Sequence, residues 1–206
     1  MKKYKHKSTE EKILESARRI FQKKGMYGTR MQEIADDAGI NKALLHYYFR
    51  SKRKLFEVVF QDSAKKMFQQ VFNTLDSKLP LSKKIEKFVH SYIDIISKYS
   101  YLPAFIIHEV NQNSPKVKKV LGNLKENPAL IFIDEIKKHQ KKGEIAKIDP
   151  LQILVNIISL CVFPIAVKPV IQMMYDLDEK LFWQFIEERK SYVVEVILNS
   201  LNPKQK

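Results

Sequence analysis

The 206-residue chain predicts an all-α fold, with a small N-terminal head of three helices followed by a larger helical bundle. Three observations carry that reading. Apolar residues recur at three- and four-residue spacing along the chain, and no stretch sustains the strict alternation that would support a sheet. The periodic stretches are separated by single glycines or prolines beside polar residues, at Gly25, Gly39, Leu79-Pro80, Tyr101-Leu102-Pro103, Ser114-Pro115, Asn127-Pro128, Gly143 and Asp149-Pro150. Two short periodic stretches flank Gly39 ahead of the long ones, which is the layout of a helix-turn-helix.

Ser8-Thr9-Glu10-Glu11 reads as a capping box, in which the Ser8 hydroxyl and the Glu11 carboxylate satisfy free amides of the first helix. That helix is expected to run to about Lys24 and stop at Gly25. Met31, Ile34, Ala35 and Ala38 form the apolar face of the second, and Ile40, Leu44, Leu45 and Tyr48 that of the third. Gly39 at the joint permits a left-handed turn without a Cβ penalty. Ala35 is small where the two helices would cross most closely, and Leu45 plugs the angle between them. A fourth helix begins near Ser51 and carries Leu55, Val58, Val59, Phe60, Met67, Phe68, Val71 and Leu75 as an apolar stripe long enough to link head to body. The later breaks delimit helices at 81–98, 103–112, 115–124, 128–142, 150–175 and 178–200. There is no repeat of fixed period and no low-complexity tract.

Charge is uneven. The chain carries 37 Lys/Arg against 23 Asp/Glu, a net of +14. Residues 1–60 hold 15 Lys/Arg and 7 Asp/Glu, a net of +8, whereas residues 61–206 hold 22 and 16, a net of +6 over more than twice the length. Concentrated positive charge is the footprint of a polyanionic partner, because each neutralised phosphate releases counterions. The single cysteine, Cys161, excludes an internal disulfide framework and a multi-cysteine metal site, suits a reducing cytosol and sits in an apolar run that makes it a buried structural thiol. His90 and His108 are too isolated to argue for a metal. The basic Met1 to Lys7 lacks an apolar signal core, so a cytoplasmic location is expected. Leu151 to Tyr175 is long enough to cross a bilayer, but Gln152, Asn156, Ser159, Lys168 and Gln172 interrupt it and Pro164 and Pro169 would kink it; no membrane partner is expected. No phosphate-binding glycine loop, His-Glu-x-x-His pair or nucleophile elbow is present, and no cofactor or enzymatic activity is expected.

The segment Ile40-Asn41-Lys42-Ala43-Leu44-Leu45-His46-Tyr47-Tyr48-Phe49-Arg50-Ser51-Lys52 resembles the recognition helix and following turn of the TetR family of bacterial transcriptional repressors. Ile13, Ala17, Phe21, Gly25 and Tyr27-Gly28-Thr29 match the family's first helix and lead-in, so the resemblance spans about Thr9 to Val59. Four positions depart from it. Asn41 stands where Ser is commonest, Ala43 where Gly is, Leu44 where Thr or Ala is, and His46 where Tyr is, all on or beside the expected reading surface.

The resemblance implies a DNA-binding head over residues 1–52 and a ligand-binding and dimerisation body over residues 53–206. By matching position, Lys42 faces a guanine edge or a phosphate, Ala43 and Leu44 meet thymine methyls, and His46 donates to a base or phosphate. Tyr47, Tyr48 and Lys52 hold phosphates, with Tyr48 equally suited to the core, while Thr29, Arg30 and Gln32 hold the backbone on the other side. The family's last two long helices pair between subunits. Here Leu151, Leu154, Val155, Ile158, Val162 and Ile165, and Phe182, Phe185, Ile186, Val193, Val196 and Ile197, would supply that homodimer surface or, alternatively, the core of a monomer. The body would enclose a small-molecule inducer of unknown identity, with Phe88, Tyr92, Phe105, His108, Glu109, Phe132, Glu135, Asn156 and Phe163 as candidate lining. The expected activity is a homodimeric repressor that binds a palindromic double-stranded DNA operator and is released by that inducer. Two alternatives remain open: a nonspecific basic helical nucleic-acid-binding protein, and an activator or corepressor-dependent regulator of the same family.

Overall fold

The structure, a computed structural model, describes residues 8–75, 79–103, 106–107 and 128–203. Among them every regular element is an α-helix: α1 (Thr9–Gly28), α2 (Met31–Asp37), α3 (Lys42–Tyr48), α4 (Lys52–Leu75), α5 (Leu81–Lys98), α6 (Pro128–Lys141), α7 (Pro150–Ala166), α8 (Lys168–Tyr175) and α9 (Glu179–Leu201). The chain divides into two compact units, Met1–Lys65 and Lys66–Lys206. The expected helix at 115–124 and most of that at 103–112 lie outside the described residues, as do Phe105, His108 and Glu109.

The first unit is stabilised by caps and a small aromatic core. The Glu11 amide donates to Ser8 Oγ at 3.2 Å and the Ser8 amide to Glu11 Oε2 at 2.9 Å, which is the expected capping box. Gly25, with φ 65° and ψ −178°, breaks the α1 helix where the sequence expected it to stop, and a further short turn carries on to Gly28. Ile13, Ala17 and Phe21 of α1, Ile34 and Ala35 of α2, Leu45 of α3 and Leu55, Phe56 and Val59 of α4 are buried together. Phe21 and Phe56 meet edge to face with centroids 4.8 Å apart. Phe56 occupies the inward position on α4 and Val58, expected there, is half-buried.

In the second unit, α5 packs on both α7 and α9, α9 packs on α7, and α6 also packs on α7. The core consists of Ile85, Phe88 and Ile93 of α5, Ile136 of α6, Ile153 and Ile157 of α7, and Phe182, Ile186 and Val193 of α9. Two ion pairs bridge helices of this unit. The buried Lys84 ammonium of α5 donates to Glu135 of α6, and Lys190 of α9 lies 2.6 Å from Asp94 Oδ1 of α5.

The single helix expected over 150–175 is two helices bent by 68° at Val167. Pro169 sets the break, because it has no amide to continue the ladder and opens α8 at a first-turn position where none is required. Pro164 instead stays inside α7. It cannot donate to the Leu160 carbonyl one turn earlier, and Arg189 Nε of α9 donates to that oxygen at 2.9 Å in its place. No single helix among the described residues is long and apolar enough to cross a membrane.

The two apolar stripes expected to form a subunit interface are divided. Leu154 and Ile165 of α7 and Phe182, Ile186, Val193 and Ile197 of α9 are buried within the single chain, so the monomer-core alternative is correct for those six. Leu151, Val155 and Ile158 of α7 and Phe185 of α9 remain exposed, joined by Leu181 and Tyr192. The reason is angular: a helix turns 100° per residue, and residues one step round from the buried face were counted with it.

Candidate nucleic-acid interface

α2 and α3 are joined by a tight turn at Gly39, whose φ of 66° is the left-handed conformation a side chain would resist. The Gly39 amide donates to Asp36 O at 3.1 Å and the Ile40 amide to Ala35 O at 3.0 Å, so the turn is satisfied by backbone bonds from the end of α2. Space is not the constraint, since a Cβ at Gly39 would meet nothing within 4 Å. Asn41 Oδ1 then accepts the Leu44 amide at 2.7 Å and caps α3. The Asn41 side chain, at a position beside the reading surface, is thus engaged in starting the helix, a task that Asn and Ser both perform.

Leu45 is wholly buried and anchors α3 against Ile34 and Ala35 of the same core, while Phe49 closes the helix from inside. The rest of α3 is open. Lys42, Ala43, Leu44 and His46 are exposed, Tyr47 is 81% exposed and Tyr48 40%. The rings of Tyr47 and Tyr48 meet edge to face at 5.6 Å. Of the two readings for Tyr48, partial exposure favours the surface, and the aromatic that fills the core is its neighbour Phe49.

The lead-in residues separate. Arg30 and Gln32 are exposed at the start of α2. Thr29 is buried and its hydroxyl donates to Gly25 O at 2.6 Å, so its side chain braces the end of α1 and does not face outward as expected. Lys52, half-buried at the first position of α4, donates to Thr29 O at 2.9 Å and Tyr27 O at 3.4 Å. Its helix is capped by Ser51, whose Oγ accepts the Lys54 amide at 3.2 Å. Tyr27, 79% exposed beside this contact, and Arg50, exposed in the turn between α3 and α4, were missed as candidates. Their signal was present in residue type, since Tyr and Arg are among the side chains that contact phosphates in protein–DNA interfaces.

Electrostatics reinforce the open face. α3 contains no acidic residue and neither does the first turn of α4. Two of the three carboxylates of α2 are engaged on the α1 side, Arg19 donating to Asp37 at 2.5 Å and Lys24 to Glu33 at 2.6 Å, while Asp36 accepts from Gln32 Nε2 of α2 itself at 2.8 Å. The Asp37 carboxyl is held below its ordinary pKa by hydrogen bonds from Ser16 and Arg19, and Glu33 by hydrogen bonds from Lys24 and the Arg30 amide. Glu33 and Asp37 stay anionic and paired with cations of α1.

Six of the nine candidate ligand residues of the body lie among the described residues, and these are divided between core and surface. Phe88 and Phe132 are buried in the core, and Tyr92 stacks on Phe88 at 5.6 Å with its phenol pKa raised, chiefly by burial. Glu135 is occupied by Lys84. Asn156 is exposed and Phe163 is 63% exposed, both about a quarter of a turn round α7 from the face that buries Ile153 and Ile157. A cleft of about 640 Å³ is lined by other residues, among them Gln140, Ala146, Ile148, Asn199 and Asn202.

Comparison with known proteins agrees with this geometry. The model of the family described as bacterial regulatory proteins, tetR family, matches residues 13–59, which run from α1 into α4. The probable HTH-type transcriptional regulator YttP of Bacillus subtilis (strain 168) is 27% identical over 160 residues, covering 76% of this chain and 77% of that protein. The TetR-family regulator PfmR of Thermus thermophilus superposes with a TM-score of 0.65 at 17% identity, over 91% of this chain and 97% of that one. The regulator FadR of Bacillus subtilis, solved in complex with stearoyl-CoA, does so with a TM-score of 0.62 at 14% identity, over 92% and 97%. Residues 13–59 thus carry the N-terminal domain of bacterial regulatory proteins of the tetR family, with α2 and α3 as its DNA-binding helix-turn-helix.

Proposed function

We propose that the protein is a ligand-responsive repressor: a homodimer that sets two α3 helices against the halves of a palindromic operator and releases DNA when a small molecule occupies the body. The observation that carries this reading is the open face of α3, where Lys42, Ala43, Leu44, His46 and Tyr47 project from a helix whose inner side is anchored by Leu45. One such helix spans only a few base pairs, whereas two related by a twofold axis read half-sites about 34–36 Å apart. The exposed apolar residues Leu151, Val155, Ile158, Leu181, Phe185 and Tyr192 on α7 and α9 support pairing of these helices between subunits.

Within the operator complex, Lys42 and His46 address base edges or phosphates and Ala43 and Leu44 pack on thymine methyls. Arg30, Gln32, Tyr47, Tyr48 and Lys52 hold the backbone on either side of the groove. Release by a ligand requires the ligand to prefer the DNA-incompetent conformation, by about 5.5 kcal/mol for a near-complete switch. The stearoyl-CoA bound by the structural neighbour FadR makes long-chain acyl thioesters a sensible first class to screen.

The test is selection of bound duplexes from a random DNA pool, with and without candidate ligands. The expected product is a palindrome whose preference over random DNA survives as salt rises, and whose binding is lost with one ligand class. Enrichment of no sequence, with all binding lost together as salt rises, would instead identify a nonspecific nucleic-acid-binding protein. A ligand that strengthens operator binding would identify the corepressor-dependent form.

A further inference from the structure

Lys52 has an intramolecular task in the absence of DNA. Its ammonium reaches back 23 and 25 residues, donating to the carbonyls of Thr29 at 2.9 Å and Tyr27 at 3.4 Å. Both oxygens lie in the stretch that leaves α1 for α2. Two local deficits meet at this contact. Past the Gly25 break, the short turn Met26-Tyr27-Gly28 holds no basic residue, so the carbonyls that close α1 lack the local positive charge that a helix C-terminus favours. α4 has no acidic residue in its first turn and opens with Lys52, Arg53 and Lys54, three cations at the end of a helix that disfavours them. Pointing the Lys52 ammonium at the α1 carbonyls relieves both. The stretch has need of a brace, because Gly25 interrupts the helix at φ 65° and the Thr29 hydroxyl holds it only from the inner side.

We infer that Lys52 is a positioning residue of the DNA-reading head, fixing the lead-in of α2 against the start of α4 before DNA arrives. The inference rests on the DNA-binding reading above and adds to it a role that a simple phosphate grip would not have. Two of the three ammonium N–H groups are used in the contact and the third is free for a phosphate. The amino ends of α2 and α4 then present Arg30, Gln32 and the Ser51–Lys52 turn to the DNA backbone at a set separation.

The experiment uses the full chain, with Lys52→Met and Lys52→Arg. In the DNA-free protein, Lys52→Met should speed amide hydrogen exchange over residues 26–31 about tenfold, the loss expected of a charge-assisted hydrogen bond, while exchange in α9 stays unchanged. Its affinity for a duplex selected by the wild-type protein should fall by at least a similar factor, and Lys52→Arg should retain most of both properties. Unchanged exchange in Lys52→Met overturns the inference, and so does faster exchange with undiminished affinity. Should Lys52→Met fail to fold, nitrogen relaxation of the wild-type lysine side chains decides: an ordered Lys52 ammonium beside a mobile Lys54 supports the clamp, and equal mobility refutes it. A wild-type protein that selects no duplex would sink the DNA-reading function itself, while the exchange result would still report on the clamp in the free chain.

Discussion

Leu44 and Leu45 are neighbours of the same type with opposite fates, and the contrast separates folding from reading at single-residue resolution. Leu45 is fully buried in the first unit, whereas Leu44 is exposed on α3. Leu45→Ala should therefore lower stability by about 2–5 kcal/mol, the range for a buried leucine that leaves a cavity, measured by urea denaturation. Leu44→Ala should stay within about 0.5 kcal/mol of wild type and instead alter which duplexes are selected, because it removes an exposed apolar contact. Equal destabilisation by the two would contradict the orientation of α3. Leu45 was legible as the plug of the angle between α2 and α3, but the same spacing also put Leu44 and Tyr48 on the apolar face of α3, and both are exposed. It left Asn41 open, because a side chain at a helix start can either cap or point outward and spacing does not distinguish them; the 2.7 Å bond from the Leu44 amide does. Thr29 was misplaced for the same reason, its hydroxyl turning inward to Gly25 O.

At the scale of elements, the capping box and the ends of α5 were readable from local residue types alone, because their determinants lie within a few positions of one another. The fate of the prolines was not, because it depends on a residue on another helix. Pro164 survives inside α7 with Arg189 of α9 serving the Leu160 carbonyl that the proline leaves without its helical donor. Arg189→Met should cost about 1–3 kcal/mol, the penalty for orphaning a partly buried acceptor. In a Pro164→Ala background the restored amide can serve Leu160, so the same substitution should cost clearly less; equal costs in both backgrounds would show that Arg189 acts only by packing. The α1–α2 contact gives a second element-scale expectation, in its pH dependence. The Asp37 pKa is lowered in the folded protein by Ser16 and Arg19, so its contribution is full above the unfolded value of about 3.9 and is lost as pH falls through the lower folded value. Denaturation midpoints between pH 5 and pH 2, both about the limits of that titration, should drop less steeply for Asp37→Asn than for wild type.

For the whole molecule, the informative surface is the one that folding leaves apolar. Once Leu154, Ile165, Phe182 and Ile186 are committed to the body's own core, Leu151, Val155 and Ile158 on α7 and Leu181, Phe185 and Tyr192 on α9 have no role within the single chain that would justify their exposure. Sequence periodicity could not make this division, because inward and outward apolar residues on α7 and α9 differ only by one step round the helix. If these residues are the subunit interface, Val155→Glu combined with Phe185→Glu should place like charges and unpaired carboxylates in it, giving a monomeric mass by sedimentation at micromolar concentration with helical content unchanged. A protein that stays dimeric would move the interface elsewhere, and one that unfolds would show that these side chains are core after all. The consequence for DNA then follows from tethering. A monomer keeps the open α3 face and so should keep weak binding to random DNA, but loses the second recognition helix, and with it a factor on the order of 10²–10⁴ in affinity for a palindrome. Loss confined to the palindrome would show that specificity belongs to the pair of heads, whereas an equal loss on both DNAs would place the damage in the head itself.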